Sequence, residues 1–404
     1  MPTKLRYALG ATIWLATLPI RALRLIIPAR NAVDWDGERR NIIERAEWLC
    51  ERIIVEPKAL LDSMPKMLGR HYGGEWAIYS CAMLSAALVN ISRIYPDERE
   101  RAIKRISLLV DIVLSPHLRE YDTHWFREDA LSSLDGDKSH MTYLSLLAWM
   151  ITNYKQAGGD GKYDYWLHKC CEAMHRRMLQ RDDLSLPSFP NGIVFLPDML
   201  VAIVALHNYS NLYDGKYADT VTQWLKKAKK EWLHKKSGLL IAMRTPKRKS
   251  SIRGSYSALS CYYLTLIDDT FAKDQYDKMK SALLRQSPIC AIREYLHRSP
   301  LFRFDHDAGP ILFGLSPSGT AFGIGSAAYF GDWRLRKRLL TTAELAGCTI
   351  RWRGKRHYIL GEFALVGEAA VLAMRTNINT NNNYETPNTN LCNAPCCSVR
   401  STTN

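Results

Sequence analysis

Apolar residues recur at three- and four-residue spacing through most of residues 38–375, the mark of helices that bury one side. Twelve segments carry the pattern: Asn41–Glu56, Trp76–Ile94, Arg99–Leu114, Met141–Lys155, Tyr163–Gln180, Met199–Tyr213, Ala218–Lys235, Tyr256–Asp269, Lys273–Gln286, Thr320–Phe330, Trp333–Ala346 and Phe363–Met374. Strand-like alternation is confined to short pieces such as Leu239–Met243 and Cys348–Trp352. The spacing therefore predicts an all-α domain.

The helices are of two kinds. Arg99–Leu114, Tyr163–Gln180 and Ala218–Lys235 are charged along one side, as half-exposed helices are. Trp76–Ile94, Met141–Lys155, Met199–Tyr213, Tyr256–Asp269, Thr320–Phe330 and Phe363–Met374 are apolar on most sides. Each of these six follows a loop rich in Gly, Pro and polar groups, with landmarks at Glu75, His140, Asp198, Tyr256, Thr320 and Glu362. A repeat of about 60 residues, one buried and one exposed helix each, predicts six helical hairpins closed into an (α/α)6 toroid. An open solenoid is the alternative. In a toroid the N-termini of the inner helices share one face, where free N–H groups and partial positive charge favour anionic or oxygen-rich ligands.

Composition narrows the class. The chain has 404 residues, 47% hydrophobic, which excludes a disordered or fibrous protein. Its net charge of +15 favours anionic neighbours such as lipid headgroups or acidic glycans. The basic stretch from Lys226 to Arg253 lacks aromatic interleaving or a known module, so no nucleic-acid partner is expected. Most of the ten cysteines lie in apolar helical stretches, where thiols act as small buried hydrophobes. Residues 1–37 form a separate segment: apolar from Tyr7 to Ile20, with Lys4 and Arg6 before it and Arg21, Arg24 and Arg30 after. It reads as a helix on an anionic membrane surface, a signal sequence or an ordinary packed helix, with membrane association or a cytoplasmic location expected ahead of secretion. Residues 38–376 form the toroid, and the Asn/Thr-rich 377–404 a disordered tail.

The six-hairpin arrangement resembles the six-hairpin glycosidase-like toroids, which include glycoside hydrolases, polysaccharide lyases and sugar epimerases. Within that group, IYSCAMLSAALVNISRIYPDERERA, WFREDALSSLDGDKSHMTYL, GIVFLPD and FGDWRLRKRLL look most like the linalool dehydratase-isomerase domain, thinly over about residues 70–375. The resemblance implies that His140 matches a helix-start histidine and Tyr79 an active-site tyrosine. The two cysteines of that family fall at Phe195 and Val204 here, with Asp198 the polar residue left in the segment. A shared scaffold with a different reaction follows.

Residue chemistry supplies the candidates. His140 can shuttle protons near neutrality, with Tyr143 one turn on and Glu128 or Asp129 the carboxylate set to face it. Asp198 stands at a second inner-helix start as cap or as acid/base. Asp129 and Asp198 together would supply the two carboxylates that glycoside cleavage needs. Tyr79, Glu128, Tyr143, Tyr256, Arg303, Asp305 and Asp307 are candidate substrate-binding residues. No ligand or phosphate-loop motif accompanies them, so neither metal nor cofactor is expected. The expected activity is acid–base hydrolysis or elimination on a saccharide, an acidic one among the candidates. The alternatives are hydro-lyase or isomerase chemistry on an isoprenoid-like alcohol, and a non-catalytic membrane-associated protein that binds a glycan or lipid.

Overall fold

The computed structural model describes residues 3–25, 33–65, 69–245, 252–297, 301–305 and 308–380. In chain order the helices are α1 (Thr3–Leu23), α2 (Trp35–Ile53), α3 (Pro57–Asp62), α4 (Gly69–Ile94), α5 (Arg99–Leu114), α6 (Pro116–Phe126), α7 (Met141–Ala157) and α8 (Asp164–Leu179). They continue with α9 (Leu196–Leu212), α10 (Ala218–Glu231), α11 (Gly254–Leu264), α12 (Asp269–Leu283), α13 (Pro317–Tyr329), α14 (Trp333–Gly347) and α15 (Leu365–Arg375). Four short antiparallel hairpins lie in the loops: β1–β2 (Val194–Phe195 with Met243–Arg244), β3–β4 (Leu284–Arg285 with Ala291–Ile292), β5–β6 (Phe302–Asp305 with Gly309–Leu312) and β7–β8 (Thr349–Trp352 with Lys355–Tyr358).

Six helices make a closed inner ring. Helix α4 packs on α7, α7 on α9, α9 on α11, α11 on α13, α13 on α15, and α15 returns to α4. Their side chains are buried nearly all round, as the absence of a polar stripe required. Each carries an outer partner: α5, α8, α10, α12 and α14 follow α4, α7, α9, α11 and α13. The sixth outer helix is α2, which packs on α15 from the opposite end of the chain. The fold is an (α/α)6 toroid. Tyr72–Ile94 is long and apolar enough to cross a membrane, yet it is mostly buried as the core of α4.

Close approach fixes one helix start. A Cβ at Gly254 would collide with the carbonyl oxygen of Arg293, just past β4. Backbone oxygen cannot swing aside, so only glycine opens α11 there.

Buried charge locks the ring where its two ends meet. Glu38, on α2, accepts from Arg375 Nε at 2.7 Å and pairs with Arg336 of α14. Arg336 also donates to the Arg375 carbonyl oxygen at 3.0 Å. Arg45 pairs with Glu368, whose other oxygen accepts from Tyr358 N at 2.9 Å, so this glutamate among apolar neighbours is a structural ion. Glu44 holds Arg351 and Arg356 of the β7–β8 hairpin.

The structure adds details that the pattern did not reveal. Helix α6 was not expected, because PHLREYDTHWF shows no clean apolar stripe. It forms on Pro116 at its first position, with the Ser115 hydroxyl accepting from His117 N at 3.2 Å. The ordered core runs past 376: Asn377 is buried and donates to Thr265 Oγ1 and the Gly325 carbonyl oxygen, both at 3.2 Å. The rest of the expected tail, from 381 on, lies outside the described residues. Helix α1 docks on the end of α14, with Trp14 Nε1 donating to the Ala346 carbonyl oxygen at 2.7 Å.

Candidate active site

Three inner helices converge on one carboxylate. The β1 strand delivers the chain into α9, where Pro197 starts the helix and Asp198 sits in its first turn. Asp198 does not cap the helix, since the cap position is Phe195 and makes no side-chain bond. Its carboxylate is buried and accepts from the Tyr79 hydroxyl of α4 at 2.5 Å and from Thr142 Oγ1 of α7 at 3.1 Å. The helix N-terminus adds partial positive charge beside it.

Two further groups crowd this point. Burial first, then the charges of Asp198 and Glu75, push the Tyr79 hydroxyl well above its ordinary pKa. Burial and the charges of Asp122, Glu75 and Asp198 do the same to Tyr121 on α6. Both phenols thus stay protonated, and Tyr79 donates to Asp198. The buried hydroxyls of Tyr121 and Tyr263 find no hydrogen-bond partner within the described protein. Sequence reasoning missed Glu75 and Tyr121 as site residues. Glu75 was visible only as a helix-start landmark, and Tyr121 lies on the helix that the pattern did not reveal.

An aromatic wall borders the same end of the ring. Trp125 meets Phe189 (5.3 Å between ring centroids), Phe189 meets Phe195 (5.9 Å) and Phe195 meets Tyr256 (5.9 Å), all edge to face. Phe195 precedes Asp198 by three residues, so wall and carboxylate share one mouth. Arg253 stands over Tyr256 at 4.9 Å, bonded to Glu294 at 2.7 Å and Asp305 at 2.8 Å. Glu294 is fully buried and also accepts from Ser255 N and Oγ at 3.0 and 2.8 Å. It organises the start of α11 from a bend after β4 that the sequence did not single out.

The other expected site residues divide. Tyr79 and Tyr256 stand at the mouth. His140 and Asp129 are not brought to Asp198. His140 is fully buried, held at φ 46° before α7, with Nδ1 at 2.5 Å from Asp122 Oδ2 and Nε2 at 3.2 Å from Glu128 Oε1. Its ring lies against Phe126. Burial pushes the Asp122 carboxyl up, against the opposing bond from His140. Asp129 pairs with Arg119 and accepts from Leu131 N and Ser132 N at 3.1 and 3.0 Å, so it closes a turn. Glu128 is shared between His140 and Lys138. The loop holding all of these is pinned by Arg177, which donates to the carbonyl oxygens of Ser133, Leu134, Gly136 and Ser139.

Tyr143 points outward, its hydroxyl donating to the Val113 carbonyl oxygen of α5 at 3.0 Å, so it is a core residue and does not reach the mouth. Asp305 is committed to Arg253 and to Ala308 N at 3.0 Å. Arg303 is exposed on the β5–β6 hairpin, over the Tyr295 ring. Asp307 lies outside the described residues. Val204 is fully buried inside α9, whereas Phe195 belongs to the aromatic wall.

His140 thus clamps α6 to the start of α7. Replacing it with Ala leaves Asp122 buried without its partner, and a buried group so stranded costs about 1–3 kcal/mol. A thermal melt of His140→Ala should fall accordingly, with turnover per folded molecule preserved; loss of turnover at unchanged stability would return His140 to the reaction.

No family model matches the sequence, and no curated protein does so either. Solved structures do match. The chain is similar to an unsaturated glucuronyl hydrolase specific for heparin (TM-score 0.54, 10% identity, covering 85% of this chain and 97% of that one). It is also similar to an inactive variant of an alpha-1,6-mannanase of Salegentibacter sp. HEL1_6 in complex with alpha-1,6-mannotetrose (TM-score 0.50, 9% identity, 85% and 99% coverage). At such identity the likeness speaks for the fold alone: the chain is an (α/α)6 toroid of six helical hairpins.

Proposed function

We propose that the protein is an enzyme that cleaves a saccharide by acid–base catalysis, as hydrolase or lyase, at the mouth of the toroid. The observation that carries this reading is the Tyr79–Asp198–Thr142 cluster, in which one carboxylate is held by hydroxyls from two neighbouring helices. Two such bonds fix the carboxylate in a single orientation, which general acid–base catalysis needs before any matched pKa. Glu75 is the second carboxylate, close enough to act on the same phenols as Asp198. Asp198 and Glu75 share the acid and base roles, with the Tyr121 hydroxyl binding a substrate oxygen. The aromatic wall suits the apolar faces of sugar rings. Similarity to two structures named for saccharide-acting enzymes agrees with this choice.

A second reading has its own support. Tyr79 and His140 stand where the resemblance to the linalool dehydratase-isomerase domain implies them, and the apolar, aromatic inner helices suit an isoprenoid-like alcohol; the absent cysteines at Phe195 and Val204 speak against it. One panel separates the readings. Uronic-acid and mannose oligosaccharides are scored for new reducing ends and for double-bond absorbance, and terpene alcohols for headspace volatiles. Activity on the oligosaccharides is the expected result; activity confined to the alcohols would replace the first reading by the second. Ligand binding with turnover in neither panel would leave a glycan- or lipid-binding ring.

A further inference from the structure

We infer that the mouth end of the ring docks on an anionic lipid bilayer, through two elements patterned inside out: α1 and the β5–β6 hairpin. A surface helix normally turns its polar side to water. Helix α1 does the reverse. The side that meets α14 carries three of its polar residues: Trp14 Nε1 on the Ala346 carbonyl oxygen, Thr17 Oγ1 at 3.3 Å from Cys348 Sγ, and Arg21, which bonds the Leu345 carbonyl oxygen. The outer side presents Leu9, Leu15 (63% exposed), Ile20 (64%) and Leu23, with Ala11, Thr12, Ala16 and Pro19 between them. No charged residue interrupts that stripe before Arg24.

The hairpin repeats the inversion. Paired residues of an antiparallel ladder share a face. Ile311 and Asp305 face inward, one fully buried and the other bonded to Arg253. The outward face carries Phe302 (61% exposed) opposite Leu312, and Phe304 opposite Pro310. Leu301 and Phe313 extend it, and Phe313 is 68% exposed with φ 52°, a conformation that bulky side chains avoid.

Both elements lie at the mouth. Ser318, in the first turn of α13, donates to the Ala308 carbonyl oxygen at the hairpin at 3.2 Å, and Asp305 reaches the start of α11. Helix α1 touches the C-terminal end of α14, and a Cβ at Gly10 would stand 3.1 Å from Ile359, on the segment leading into α15. Charge selects the occupant. Lys4 and Arg6 precede the α1 stripe in the sequence and Arg24 follows it, Arg303 is exposed on the same hairpin, and the whole chain carries +15. Two copies of such a face repel each other, whereas anionic headgroups attract it, and exposed aromatic rings suit the interfacial layer.

The test uses the full chain with sedimenting vesicles of phosphatidylcholine alone, or with about one-quarter phosphatidylserine added. The wild type should partition onto the anionic vesicles at least about tenfold more strongly than onto the neutral ones. Leu15→Asp/Ile20→Asp and, separately, Phe302→Asp/Phe304→Asp should each weaken that partition about tenfold or more, with unchanged melting and circular dichroism. A wild type that stays in the supernatant with anionic vesicles would overturn the proposal, as would partition that neither pair of substitutions affects. Concentration-dependent dimerisation without lipid, abolished by the same substitutions, would assign the face to a second copy and overturn it equally.

Discussion

Replacing Asp198 with Asn lowers turnover by about 10²–10⁴-fold while the melting temperature moves little. The magnitude is that of a lost general acid or base. Asn keeps the shape and one acceptor oxygen for the Tyr79 hydroxyl, so α4, α7 and α9 stay joined, but it can no longer take up or release a proton. Tyr79→Phe tests the same unit from the other side. It removes the 2.5 Å bond that orients the carboxylate and leaves the proton-carrying group in place. Its effect on kcat should therefore be smaller than that of Asp198→Asn. Steady-state kinetics on the best substrate of the oligosaccharide panel, with thermal melts in parallel, decide the matter. Full turnover in Asp198→Asn moves the chemistry away from this carboxylate.

The largest loss of stability is expected at Glu38, which sits buried between Arg336 and Arg375. Burial alone would raise its pKa, but the two guanidinium groups outweigh burial and hold the carboxyl well below the usual range. Glu38→Gln leaves two arginines facing a neutral amide in the interior. Breaking a buried ion pair from one side costs about 3–5 kcal/mol. In a domain of this size that amounts to a fall in Tm of roughly 4–7 °C. The pH dependence has a definite sign. A carboxyl whose pKa is lowered by folding contributes fully above its unfolded value, about 4.3, and loses that contribution as pH falls below it. Wild type and Glu38→Gln should differ most near neutral pH and converge in acid. Denaturant titrations at several pH values measure this, and a gap that is constant with pH would contradict the ionic account.

The toroid was legible because its inner helices are apolar on every side, and six such helices at even spacing leave few other ways to bury them. The site was legible only where chemistry coincides with a helix start. Asp198 and Tyr256 have that position. His140 has it too, yet a histidine before an apolar helix reads the same whether it faces a substrate or a buried aspartate. Asp122 was invisible because it lies on α6, whose mixed pattern hides a helix docked by Leu118, Tyr121 and Phe126. Asp129 shows the opposite failure: a carboxylate in a polar run beside the site, used to close a turn. The partners that decide such cases lie far away in the chain, with 119 residues separating Tyr79 from Asp198.

That the outer helix of the last hairpin is α2 constrains biosynthesis. Helix α2 is complete at Ile53, but its partner α15 ends at Arg375. Some 320 residues must leave the ribosome in between, which at about 5–20 residues per second takes roughly 16–64 seconds. Through that interval the nascent chain is an arc with apolar flanks on α2 and α4 at one end and on the newest hairpin at the other. The circle closes only once translation has almost finished, so holdase chaperones that cover these flanks should govern how much active protein a cell recovers.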